Sequence, residues 1–88
     1  MIVPVELFAA AAAALGRTTD QLDLPEGAVL GDLVDALGAL AVTTDDPANA
    51  AAVLARCSYL VEGVATTDRD APLTAGSAVD VLPPFSGG

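Results

Sequence analysis

The chain has 88 residues, with twelve acids, three arginines (Arg17, Arg56, Arg69), no lysine and no histidine, for a formal charge of −9. At this length one domain is the natural reading, and such a chain buries only ~60–65% of its unfolded surface. The acidity argues against a nucleic-acid binder, which needs a basic footprint. The single Cys57 excludes an internal disulfide, and without histidine neither a zinc site of the usual ligand set nor a Ser–His or Cys–His nucleophile pair can be built. At 53% apolar residues the composition is that of a folded chain.

Met1–Phe8 alternates: Val3, Val5 and Leu7 fall on one face, Pro4, Glu6 and Phe8 on the other. That period of two predicts a half-buried strand, and Pro4 leaves part of it without a ladder partner on one side. Residues 1–15 are apolar, but they lack a basic leading segment and are interrupted by Pro4 and Glu6. They are also shorter than the ~20 residues of a membrane span. The expectation is a cytoplasmic protein without membrane association. Ala9–Leu15 is helix-forming sequence stopped at Gly16. Gln21–Leu24 is a short strand candidate, ended by Pro25-Glu26-Gly27.

The clearest helix follows. Leu30, Leu33, Val34, Leu37 and Leu40 share one face, with Gly31, Asp32, Asp35 and Ala36 away from it. Asp32 suits the positive end of the helix dipole, whereas Val29 supplies no capping oxygen, so the start is weakly fixed. A second helix is signalled at Pro47–Arg56, with Asp46 as cap, Pro47 at the first position and Arg56 in the last turn. Tyr59–Val61 and Val64-Ala65 read as strands around a tight Glu62-Gly63 turn. Asp68–Gly76 is turn-rich, and Ala78–Leu82 is a last strand with Val79 and Val81 on one face and Asp80 and Leu82 on the other. The order β, helix, β, helix, helix, β, β, β predicts an α+β fold, a small mixed sheet packed on one main helix. First and last strands are expected side by side and parallel.

Several segments taken together carry a resemblance. They are Ile2–Phe8 with its Ala/Leu-Gly continuation, Gly31-Asp32-Leu33, Tyr59-Leu60-Val61-Glu62-Gly63, Leu73-Thr74-Ala75-Gly76, and Val79-Asp80-Val81-Leu82-Pro83-Pro84-Phe85-Ser86-Gly87-Gly88. The chain resembles the MoaD/ThiS family of ubiquitin-like sulfur carriers, most specifically in its Pro-Pro-x-Ser-Gly-Gly ending. The resemblance implies a β-grasp domain over residues 1–82 and an extended C-terminal tail over 83–88. It also implies that the Gly88 carboxylate is adenylated by an activating enzyme that consumes ATP, then converted to a thiocarboxylate, with no cofactor bound to the chain itself. As small subunit of molybdopterin synthase, such a chain joins a large subunit in a heterotetramer and donates sulfur for molybdenum cofactor biosynthesis. Pro-Pro-Phe-Ser and the extra helix at Pro47–Arg56 favour that route over thiamine thiazole synthesis. Cysteine synthesis is a third route, and a non-catalytic ubiquitin-like binding module is the alternative of a different class. The chain departs from the family in Ala10–Ala14, where charged residues are usual, in Glu62, where Asn is usual, and in Ser77, where an acid is usual.

The residues support this use of the tail on physical grounds. An α-carboxyl ionises at about pH 3.3–3.7, so it is an anion at neutral pH. Converting it to an acyl-adenylate supplies the leaving group it lacks. Gly87 and Gly88 have no Cβ and fit a narrow channel. Pro83 and Pro84 cannot extend a ladder and favour an extended course. Six residues at ~3.3 Å each reach roughly 20 Å. If Val3, Val5, Val79 and Val81 face the core, Phe8 and Leu82 face outward as neighbours at the root of the tail and form a partner-binding pair, with Phe85 as a further anchor. A one-residue slip would exchange the faces. Cys57 reads as a small core residue, Asp45-Asp46 and Asp68/Asp70 as cap and turn residues, and the net charge as a device for solubility and for steering toward basic partners.

Overall fold

In a computed structural model that describes residues 1–84, the chain forms eight elements. These are β1 (Ile2–Leu7), α1 (Ala9–Leu15), β2 (Thr19–Asp23), α2 (Leu30–Val42), α3 (Pro47–Arg56), β3 (Ser58–Val61), β4 (Val64–Thr66) and β5 (Val79–Leu82). The type and order of every element match the sequence reading. The strands form one mixed sheet in the order β2-β1-β5-β3-β4. β1 and β5 are parallel, with Val5, Glu6 and Leu7 opposite Val79, Asp80 and Val81. The ladders of β1 with β2, β5 with β3 and β3 with β4 are antiparallel. Pro4 lies opposite Gln21 of β2, while the ladder to β5 starts only at Val5, so its missing N–H interrupts nothing.

One face of the sheet is the core. Val3, Val5, Leu7, Leu22, Tyr59, Val61, Val79 and Val81 point into it and meet Leu30, Leu33, Leu37 and Ala41 of α2. α1 adds Ala11 and Leu15, and α3 adds Ala50 and Leu54. Val3, Val5, Val79 and Val81 are at most 1% exposed, so the expected inward face is the observed one. Each such side chain contributes about 1.5–3 kcal/mol by leaving water. This is the β-grasp arrangement: a small mixed sheet curled over one principal helix.

The start of α2 is where the structure corrects the sequence reading. Val29 indeed makes no side-chain cap, but three other contacts take its place. Asp32 accepts a hydrogen bond from the Val29 amide at 2.9 Å, and the amides of Leu30 and Gly31 donate to the carbonyls of Ala71 and Arg69, both at 2.8 Å. The turn-rich Asp68–Gly76 segment therefore caps the helix from a distance, and Leu73 tucks its side chain into the core. Gly31, expected away from the apolar stripe, is buried because this segment lies on it: a Cβ there would meet the Arg69 backbone oxygen and guanidinium at 3.2 Å. Arg69 in turn donates to the Gly31 carbonyl at 3.2 Å and to Asp35 at 2.9 Å. β2 begins two residues earlier than expected, because Thr19 and Asp20 find partners in Glu6 and Val5.

The remaining local signals act as the residues dictate. Gly16 ends α1 with φ of 70°, and the Asp46 side chain accepts from the Asn49 amide at 3.1 Å to cap α3. Glu62 and Gly63 turn the β3–β4 hairpin with φ of 51° and 79°. Cys57 is buried, its thiol donating to the Val53 carbonyl at 3.3 Å, and burial pushes its pKa up. The Tyr59 hydroxyl is buried and finds no hydrogen-bond partner among the described residues. Burial, chiefly, and the neighbouring Cys57 push its pKa up to about 12 against a small opposing pull from Arg69.

Two outcomes follow from this packing. In α2, Gly38 has open space around it, so Gly38→Ala should gain about 1 kcal/mol from helix propensity, whereas Gly31→Ala should fall short of that gain by at least about 1 kcal/mol in urea unfolding, because Arg69 must give way. Above the ordinary tyrosine pKa of 10 the unfolded chain releases the Tyr59 proton while the folded chain keeps it up to about 12. Stability is therefore full below pH 10 and should fall by about 2 kcal/mol as pH rises toward 12. Tyr59→Phe should remove that fall and cost little at neutral pH, since the hydroxyl it deletes is unpartnered.

Candidate functional site

β5 lies at the centre of the sheet, flanked by β1 and β3, and its C-terminal end delivers the chain to Pro83, half-buried, and Pro84, exposed. Neither proline has an N–H to offer a ladder, so the strand stops at Leu82. The described chain therefore leaves the sheet from its central strand. Phe85, Gly87 and Gly88, the expected anchor and reactive terminus, lie outside the described residues.

Around that exit the outward face of the sheet collects the expected partner-binding pair. The Phe8 amide donates to the Val81 carbonyl at 3.2 Å, and its own carbonyl accepts from the Ala11 and Ala12 amides at 3.0 and 3.4 Å. Continuing the register beyond Leu7 opposite Val81 sets Phe8 beside Leu82. Phe8 is 40% exposed and Leu82 is half-buried, so both stand on the solvent side while Leu7 and Val81 fill the core. Ala9 follows Phe8 with φ of 49°, a left-handed value that costs a non-glycine residue on the order of 1–3 kcal/mol. That turn throws the chain from β1 straight into α1 and leaves Phe8 at the C-terminal end of an interior strand. A groove of about 480 Å³ runs beside it, lined by Glu6, Leu7, Phe8, Ala9, Ala12, Thr18 and Thr19.

The structure adds members that sequence reasoning did not single out. Leu60, opposite both Asp80 and Ala65, stands half-buried on the outward face. The alternation of Tyr59 and Val61 inward already implied it, once the β3–β5 pairing was known. Glu6 and Asp80 face each other in the parallel ladder, and the row continues to Thr19 on one side and Leu60 on the other. The outward face is thus an apolar frame of Phe8, Leu82 and Leu60 around two carboxylates.

Among the described residues no group of three or more His, Cys, Asp or Glu is placed to hold a metal ion. The only thiol is buried with a raised pKa, which disfavours the thiolate a nucleophile requires. Arg69, held cationic first by its hydrogen bond to Asp35, is occupied at the start of α2. No described helix is long and apolar enough to cross a membrane.

The face assignment has a direct check. Phe8→Asp should lower unfolding free energy by about 1 kcal/mol or less, whereas Val81→Asp, adjacent to Leu82 but fully buried, should cost more than about 4 kcal/mol and unfold the chain in a urea titration.

Comparison with solved structures agrees with this geometry. SAMP1 from Haloferax volcanii is similar over 100% of both chains, with 27% identity and a TM-score of 0.78. A putative molybdopterin converting factor, subunit 1, from Pyrococcus furiosus shares the fold at 22% identity and a TM-score of 0.69, over 96% of this chain and 98% of that one. The HVO 2177 protein of Haloferax volcanii shares it at 24% identity and a TM-score of 0.69, over 100% and 87%. No curated protein matches the chain. The sequence profile of the ThiS family matches residues 5–88, a span that takes in the second half of β1, all of β5 and the terminal Gly87-Gly88, and the chain belongs to that family of ubiquitin-like, β-grasp sulfur carriers.

Proposed function

We propose that this chain carries sulfur on its C-terminal carboxyl group. The observation that supports this most is the exit of the tail from the central strand beside Phe8 and Leu82, in a chain whose family match runs through Gly88. A partner that grips the outward face receives the tail in a fixed direction.

The chemistry assigned to Gly88 is as follows. An activating enzyme binds the chain and ATP, and the Gly88 carboxylate attacks the α-phosphorus. Pyrophosphate leaves, and a mixed anhydride with AMP forms. Hydrosulfide supplied by a sulfur donor then attacks the acyl carbon, the bond from that carbon to the phosphate-bridging oxygen breaks, AMP departs with that oxygen, and a thiocarboxylate remains on Gly88. The glycines let the partner close tightly around that carbon.

For the destination of the sulfur we favour molybdopterin synthesis, with this chain as small subunit beside a large subunit. Pro83-Pro84-Phe85-Ser86 and the well-formed α3 support this reading. A second reading is favoured by the whole-length similarity to SAMP1, a small archaeal modifier protein. There the activated carboxyl would pass to an amine of another protein. This chain, having no lysine, cannot itself accept a lysine-linked conjugate.

The test is to co-express the chain with an activating enzyme and a sulfur donor and weigh it intact. Exchange of one oxygen for sulfur at the terminal residue is the expected result, and no exchange under conditions that convert a known carrier would contradict it. One residue appended after Gly88 should abolish conversion and leave the urea unfolding curve unchanged; full activity with the extension in place would refute the assignment. The large subunit that co-purifies with the chain reports the pathway.

A further inference from the structure

We propose that the groove beside Phe8 is the seat of Phe85 of the same chain, so that the tail folds back across its own root until a partner on the outward face displaces it. The displacement by a partner rests on the carrier reading above.

The groove lies between the end of β1, the start of α1 and the start of β2. Leu7, Phe8, Ala9 and Ala12 supply its apolar lining, and the exposed Thr18 and Thr19 complete it opposite them. Its volume of about 480 Å³ is ample for one aromatic ring. Phe85 is the one large apolar residue among positions 85–88, and Phe8 and Phe85 are the two phenylalanines of the chain. Paired aromatic rings gain more than the burial of their area alone. Positions 85–88 carry no charged side chain, so they bring no like charge to the neighbouring Glu6. A second copy of the chain would bring a net charge of −9 against −9, which disfavours it as the occupant.

The tether puts Phe85 within reach. By register Leu82 stands beside Phe8, and the groove opens on the other flank of Phe8, toward β2. Two strand spacings of ~4.8 Å make that path about 10 Å. Three residues, Pro83 to Phe85, span about 10 Å at ~3.3 Å each. Both linking prolines have φ already fixed, which lowers the entropy lost on seating the ring. So short a link holds the ring near the groove at an effective concentration on the order of millimolar. A partner that covers Phe8 and Leu82 takes the same apolar surface, so its docking and the release of residues 85–88 become one event. The seated form does not compete for the partner, and apparent affinity falls in proportion to its population.

The experiment is methyl and aromatic NMR on the intact chain at a high and a low protein concentration, with pyrophosphate release by purified activating enzyme and ATP measured alongside. Cross-peaks of the Phe85 ring with Phe8 and with the Ala12 methyl are expected at both concentrations. The Ala9 and Ala12 methyl resonances should shift in Phe85→Ala. Ala12→Leu and Thr18→Leu fill the groove without touching the tail and should abolish the contact between Phe85 and Phe8; urea unfolding shows which of the two keeps the fold intact. That variant should lower KM about twofold with kcat unchanged, as for a seat occupied in about half of the chains. Absent cross-peaks, with both methyl resonances unmoved by Phe85→Ala, would overturn the proposal while sulfur exchange on Gly88 left the carrier reading standing. Cross-peaks that vanish on dilution would overturn it in favour of a second copy. An unchanged or raised KM in the groove-filled variant would overturn the displacement. No pyrophosphate release from the unaltered chain would contradict the carrier reading, and the displacement with it, while the NMR contact alone decides the seat.

Discussion

The parallel pairing of β1 with β5 is the constraint on which the rest of the molecule depends. It brings the first and last strands of the domain together in the middle of the sheet, with everything between them making the crossover. One register has three consequences. Val5 with Val79 and Leu7 with Val81 form the centre of the core. Glu6 with Asp80 form an opposed pair of charges on the other side. Phe8 with Leu82 mark the point where the chain leaves the sheet. A slip of one residue would put the charges in the core and the valines in water, so burial of the valines holds the functional face in place as firmly as it holds the fold.

The remaining elements stiffen that arrangement. The Asp68–Gly76 segment caps α2 with backbone carbonyls and leads directly into β5, so the principal helix and the strand that carries the tail are tied together. The tight turn at Ala9 anchors Phe8 at the other side of the exit. On the proposed carrier reading, partners supply the reactive groups, and a chain exit flanked by paired strands on both sides reduces the ordering entropy that docking must overcome.

Much of this was legible in the sequence, and the limits were physical. α3 was marked at both ends by local chemistry, Asp46 and Pro47 at the start and Arg56 at the end, and it occupies the expected residues. β1 and β5 were legible through strict alternation of Val and Leu with other residues, which fixes the faces without knowledge of the partner strand. The start of α2 was not, because its caps come from Arg69 and Ala71, some forty residues away, and backbone carbonyls leave no mark on side-chain identity. The burial of Gly31 was hidden for the same reason. Leu60 and the Glu6–Asp80 pair needed the strand register, which long-range pairing decides. The tail was the reverse case: Pro-Pro-Phe-Ser-Gly-Gly spoke through its composition, and Phe85 to Gly88 lie outside the described residues.

The most direct measurement of the central claim is to trap the activated terminus. Incubated with activating enzyme, ATP and hydroxylamine, the chain should acquire a hydroxamate, and fragmentation mass spectrometry should locate it on Gly88 and nowhere else. A hydroxamate on any of the twelve side-chain carboxylates, or none at all while a known carrier is labelled in the same mixture, would contradict the account.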